Sequence, residues 1–426
     1  MRGARGLVRR GGRVAVNPTI LLVGTADTKS DELRYLGERI TAAGGTPLLM
    51  DVGVLAPGPY APAIANTEVA AAAGCTLQQV LDSGDENSAM ALMARGAARL
   101  AAQLQRAGRI QGLLVLGGTM GTDLALDVAA ALPLGCPKLV LTTVAYSHLI
   151  PPERIAPDLM MVLWAGGLYG LNSLCRSALS QAAGAVVGAA RVAEPPRPER
   201  PLVGMSSLGK SCLSYMVRLK PALEARGFEV AVFHTTGMGG RAFEALAAEG
   251  RFAAVMDFSL QELANQVGGS CVTAGPDRLR GAGRAGVPQI VAPGAADMID
   301  FPTWAGAPAG YETAPAHAHN RLIASTVATP ALRERIAAEI IDRVAGATGP
   351  ACVLLPTAGL QAWDRPGEAL HDPEGLAAFQ RALRAGAGRI DLREVPAHIN
   401  DAAFADAALA VFDDWLERGL IHRAVA

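Results

Sequence analysis

From residue 18 onward, short uninterrupted apolar runs alternate with longer amphipathic stretches, and this alternation leaves few folds open. Runs at 19–23, 46–51, 112–116, 138–142 and 160–164 have the length and continuity of strands buried on both faces. The segments 30–43, 88–107 and 122–132, and a long one near 171–190, carry apolar residues at helical spacing. Such alternation predicts a parallel sheet covered by helices on both sides. It stops at 191–201, R-V-A-E-P-P-R-P-E-R-P, a charged and proline-rich linker. It then restarts, with strands expected at 202–206, 229–234, 253–257, 289–291, 351–355 and 390–394, and a last helix near 402–418. The expected fold is therefore α/β, with two Rossmann-like subdomains at 18–194 and 195–426. Each is a parallel sheet flanked by helices, with a cleft between the two. The first seventeen residues hold five arginines and no acid, and are expected to be a disordered extension.

Composition narrows the function classes. Half of the 426 residues are hydrophobic and the formal net charge is −1, which argues against nucleic acid or a membrane surface as principal partner. The six cysteines are scattered without metal-ligand spacing, as expected of reduced thiols in a cytoplasmic protein. His317 and His319 stand in an Ala/Pro-rich stretch that reads as a solvated loop rather than a zinc site.

In parallel sheets ligands bind beyond the carboxyl ends of the strands, so the residues just after each expected strand are the candidates. After the first come Gly24, Thr25, Asp27, Thr28 and Lys29, a dense set of backbone, hydroxyl and cationic groups at a helix start; Asp27 alone would read as a helix cap. After the third come Gly117, Gly118, Thr119, Gly121 and Thr122, a cradle for phosphate or carboxylate. In the second half, "LVGMSSLGKSCLS" at 202–214 has the letters of a P-loop. The strand must however run on through Ser206, whose hydroxyl joins Ser207, Gly209, Lys210 and Ser211 as anion ligands at a short turn before a helix at 212–226. His234, Gly237, Gly239, Gly240 and Arg241 form another glycine-rich loop, with His234 either an acid/base or a strand-end residue satisfied by backbone. Asp257 ends a strand and is expected to cap the next helix. Asp277 and Asp297 stand in turn-rich loops, and one of Asn400 and Asp401 should cap the last helix, freeing the other for a ligand.

Taken in order, "LLVGTADTKSDEL", "GLLVLGGTMGT", "GLNSLCRSALSQAAGAVVGAA", "FHTTGMGGRAFE", "TAGPDRL", "APGAADMIDF", "LPTAGLQAWDRPG" and "HINDAAFADAAL" resemble the Tm-1-like ATP-binding family, also called UPF0261. The resemblance covers nearly all residues from about Asn17. It implies two α/β subdomains, nucleotide binding and a homodimer; plant members add a TIM-barrel half. At 204–214 the chain departs from the family, with Lys210 where an apolar residue is usual.

The resulting expectation is an ATP-binding protein, with Mg2+ as the accompanying ion, that acts on a phosphorylated or acidic small molecule. Asp27, His234 and Asp297 are the catalytic candidates. Two alternatives stand beside it: an ATP-dependent binding module for a protein partner, and an enzyme acting on a small carboxylate or sugar acid without nucleotide.

Overall fold

A computed structural model describes residues 17–56 and 58–423. The expected arginine-rich extension lies outside the described residues, save for Asn17. The chain divides into two compact units between Pro196 and Arg197.

The N-terminal unit is built on five parallel strands: β1 (Thr19–Gly24), β2 (Thr46–Asp51), β3 (Gly112–Gly117), β4 (Lys138–Thr142) and β5 (Leu159–Leu163). Their spatial order is β2-β1-β3-β4-β5. Every residue of β3 and β4 is buried because both faces are covered, and the two polar ends of β4, Lys138 and Thr142, are paired with Asp158 and Thr122. Helices Ser30–Ala42 and Ser173–Val192 bury Leu33, Leu36, Ile40, Leu179 and Val186 on one face. Helices Asn66–Ala73, Glu86–Arg106 and Thr119–Ala130 bury Val69, Met93, Ala97, Leu124 and Val128 on the other. Each such leucine or valine removed from water contributes about 1.5–3 kcal/mol.

The order β2-β1-β3 has a physical consequence. The chain leaves β1 toward β2 on one side and returns to β3 on the other, so the loops after β1 and β3 diverge. A crevice opens between them at the carboxyl ends of the strands.

The C-terminal unit repeats this plan with β6 (Leu202–Ser207), β7 (Glu229–His234), β8 (Ala254–Asp257), β9 (Gln289–Val291), β13 (Ala351–Pro356) and β14 (Asp391–Val395), all parallel. The order β14-β13-β9-β8-β6-β7 places a second switch point between β6 and β8. Gly204, in the middle of β6, leaves room for the Phe243 and Phe252 rings, which an added Cβ would meet at 2.9 and 2.8 Å. It is a packing glycine. Between β9 and β13 the chain inserts a three-stranded antiparallel sheet that sequence reading did not anticipate: β10 (Met298–Pro302), β11 (Ala316–Ala318) and β12 (Ile323–Val327). His317 therefore lies on a strand rather than in a loop, its ring 4.0 Å from that of Trp363.

Four helix starts differ from expectation by two or three residues, two of them, at Glu86 and Ser173, by simple end shifts. The helix after β3 begins at Thr119, not 122, so Thr119 to Gly121 form its first turn. The helix after β6 begins at Ser214, not 212, because Leu208 and Cys212 close a turn on each other first.

Candidate functional site

The first switch point holds a cavity of about 540 Å³. Gly24, Thr25, Asp27, Thr28 and Lys29 line it from the β1 loop, and Gly117, Gly118, Thr119 and Gly121 from the β3 loop. Two loops singled out separately in the sequence thus form one site. Its walls are apolar residues that sequence reading missed, Val52, Val54, Leu55, Met90, Met93 and Leu124, together with Glu86.

Each glycine here has a distinct reason. A Cβ on Gly117 would lie 2.5 Å from the Gly121 Cα, so these two let the strand end and the helix start touch. A Cβ on Gly24 would strike Leu33 at 2.8 Å, inside the core rather than in the cavity. Gly118 differs: its added Cβ meets only Thr143 Oγ1, at 3.8 Å. It is the N-cap of the helix Thr119–Ala130, whose first amides lack carbonyl partners within the helix and carry the positive end of its dipole. Thr122 is not a ligand group, because its buried hydroxyl bonds Gly118 O and Thr142 Oγ1.

Asp27 does not cap the helix after β1. It accepts from Leu55 N through Oδ2 at 3.0 Å, while Oδ1 is buried without a partner. Asp51, at the end of β2, accepts from Ala26 N at 2.9 Å and Gly53 N at 2.8 Å, tying the β1 and β2 loops together. Burial raises its pKa above the ordinary carboxylate value. Thr25 and Thr28 join hydroxyls at 2.8 Å, which fixes the loop that presents Lys29.

The second switch point is occupied by the protein's own charges. Arg278, fully buried, donates to Asp257, Glu244, Glu262 and Ser259 O. Asp257 neither caps a helix nor faces solvent, since Ser206 Oγ also donates to it at 2.6 Å. The amides of Gly237 and Gly240, expected as a phosphate cradle, donate to Glu262 at 2.5 and 3.1 Å. An internal carboxylate fills that cradle. Burial pushes Glu262 up to about 7 and also raises Glu244, against the pull of Arg278. Gly239 packs where a Cβ would collide with His234 O, and Arg241 donates to Ala274 O at 3.4 Å.

The P-loop letters likewise form no phosphate loop. Leu208 N bonds Cys212 O, Gly209 N bonds His234 Nδ1, and Ser211 N and Cys212 N bond Leu208 O. Ser207 is buried in the sheet with Oγ on Phe233 O, Ser211 is buried, and Lys210 points to solvent. The amides of Leu208, Gly209, Ser211 and Cys212 are thus all taken by protein acceptors. Gly209 makes the turn possible, with φ at 45°.

Asp297 lines neither switch-point cavity. It is buried near Arg333 and Asp364, and burial carries it to about 6. Asp277 is an exposed partner of Arg284. Asn400 is not free for a ligand: its Oδ1 accepts from Leu213 N and Ser214 N, at the start of the helix after β6. Asp401 stands at the N-cap of the helix Ala402–Glu417 without capping it, accepting from His398 N instead.

Fold and site together define a two-unit α/β protein with one open and one self-filled switch point. Comparison with known proteins divides the chain at the same place. The family model described as "Uncharacterised protein family (UPF0261) N-terminal domain" matches residues 18–195, and its C-terminal counterpart matches 200–416. The chain belongs to the UPF0261 family. It is 56% identical to a UPF0261 protein of Brucella melitensis over 95% of this chain and 97% of that one. It is 30% identical to a UPF0261 protein of Clostridium tetani, over 95% and 100%. The tomato ToMV resistance protein Tm-1(GCR237) is 28% identical over 93% of this chain and 55% of its own length. Among the described residues no helix is long and apolar enough to cross a membrane.

Proposed function

We propose that the N-terminal unit binds a nucleotide, with ATP the first candidate, in the cavity between the β1 and β3 loops. The observation that carries this reading is the cavity itself: about 540 Å³, within the range of small-molecule sites, with glycine-rich loops and a helix N-terminus at one end and an apolar wall at the other. The helix Thr119–Ala130 and Lys29 favour phosphate oxygens at the loop end. Val54, Leu55, Met90 and Met93 suit the flat apolar face of a base. Asp27 Oδ1, buried and unpartnered, accepts from a ribose hydroxyl. Mg2+ would neutralise the phosphates, and Asp27 and Glu86 are the lining carboxylates able to hold its waters. On this reading the protein is a cytoplasmic nucleotide-binding homodimer.

Titration calorimetry with MgATP, ADP, AMP, citrate and gluconate tests it. The expected order places ATP and ADP well ahead of AMP, with both acids weaker still. Preference for citrate or gluconate, or no heat from any nucleotide at millimolar concentration, overturns the nucleotide reading.

A further inference from the structure

The antiparallel insertion lays a second, smaller cavity over the self-filled switch point. Asp300 on β10 and Ser325 on β12 stand opposite Gln261, which begins the helix after β8, and His234, which ends β7. They enclose about 30 Å³, room for one water-sized group. Gln261 and Asp300 are each only 1% exposed, and Gln261 Oε1 has no hydrogen-bond partner among the protein groups. Asp300 accepts from Ser325 Oγ and from Asn265 Nδ2, and burial brings it to about 6. At the rim, His234 Nδ1 accepts from Gly209 N at 3.3 Å, so the ring proton resides on Nε2. Partial desolvation at the rim and the nearby His319 lower its pKa. The half-buried indole of Trp363 supplies an apolar wall.

The chemistry of this lining is selective. Its floor offers an unused amide oxygen and a carboxyl group, and none of the lining residues is Lys or Arg. An anionic group entering here would face the Asp300 carboxyl with no cation to balance it, whereas a hydroxyl can donate to Gln261 Oε1 and accept from the His234 ring N–H. The volume admits a hydroxyl and no larger head.

We propose that the C-terminal unit carries a second small-molecule site, which takes a hydroxyl group of an uncharged monosaccharide or polyol between Gln261, Asp300 and His234. The body of the ligand rests at the rim against Trp363. This site stands independently of the nucleotide site in the other unit.

Saturation-transfer NMR on the full chain with glycerol, D-ribose and D-glucose tests the proposal. Saturation should pass to the carbon-bound protons of at least one of the three. Gln261→Leu should cut the transfer at least fivefold, and His234→Ala, at an exposed position that leaves folding intact, should weaken it severalfold. MgATP titrations of both variants should match the parent. Should Gln261→Leu not fold, His234→Ala decides. The proposal is overturned if no probe receives saturation, which would mean that the cavity holds water alone. It is equally overturned if the folded variants transfer as the parent does, or if inorganic phosphate or methylammonium displaces the probe.

Discussion

Arg278→Met removes the charge around which the second switch point is organised. The guanidinium makes five hydrogen bonds: to Glu262 at 2.9 Å, Glu244 at 3.0 Å, Asp257 at 2.5 and 2.7 Å, and Ser259 O at 2.8 Å. Methionine fills much of the volume but leaves three buried carboxyl groups without their cation. Breaking a buried pair in this way costs about 3–5 kcal/mol. For a unit of this size, each kcal/mol lowers the melting temperature by about 2–4 °C, so the C-terminal transition should fall by roughly 6–20 °C. The loss should also depend on pH. Without the arginine, Glu244 and Glu262 avoid isolated burial of charge by taking up protons, which is easier at pH 5.5 than at pH 8. The variant should therefore lie closer to the parent at pH 5.5. Calorimetric scans of both proteins at the two pH values measure this. A transition within 2 °C of the parent at pH 8, or a larger deficit at pH 5.5, would refute the view that this network is a load held by one cation.

Asn400→Ala should cost about 1–2 kcal/mol in urea unfolding, because two amides at the start of the helix Ser214–Ala225 lose their acceptor. Lys210→Ala should shift neither stability nor MgATP affinity by more than about 0.5 kcal/mol, as expected of an exposed side chain outside the ligand cavities; abolished binding would restore the P-loop reading. Glu262 and Asp300 hold their protons more tightly folded than unfolded, with pKa values near 7 and 6. Their contribution to stability is therefore greatest below about pH 4, falls as pH rises through those values, and is flat above about pH 8. Urea midpoints of Asp300→Asn and the parent, compared between pH 5 and 8, should converge toward low pH.

Much of the architecture was legible because the inner parallel strands, such as β1, β3 and β13, are buried on both faces and therefore appear as apolar runs. Thr46–Asp51, Lys138–Thr142, Glu229–His234 and Gln289–Val291 fall at the positions expected of them. The insertion was not legible. Ala316–Ala318 and Ile323–Val327 are short and interrupted by histidine, serine and threonine, and β12 completes its pairing with β10 across a long loop. The loops after β1 and β3 were identified from their glycines and hydroxyls, but their convergence on one cavity depends on strand order, which local pattern does not encode. Glycine-rich loops also look alike whether they await a ligand or not. Gly237 and Gly240 carry the same letters as Gly117 and Gly118, yet their amides are taken by Glu262, twenty-odd residues downstream. The buried carboxyl groups of "DMIDF" and "LQAWD" were visible as motifs, while the neighbours that give Asp300 and Trp363 their setting were not.

The central claim is that the β1–β3 cavity is where the N-terminal unit holds nucleotide, and Gly118 offers the most direct test. A side chain there meets only Thr143 Oγ1, at 3.8 Å, so Gly118→Val leaves the fold intact while placing two methyl groups beside the helix start where phosphate would sit. Isothermal titration of parent and variant with MgATP is the measurement. The account predicts at least a tenfold rise in Kd, about 1.4 kcal/mol, with melting temperatures within 2 °C of each other. Equal affinity for MgATP in parent and variant would contradict it.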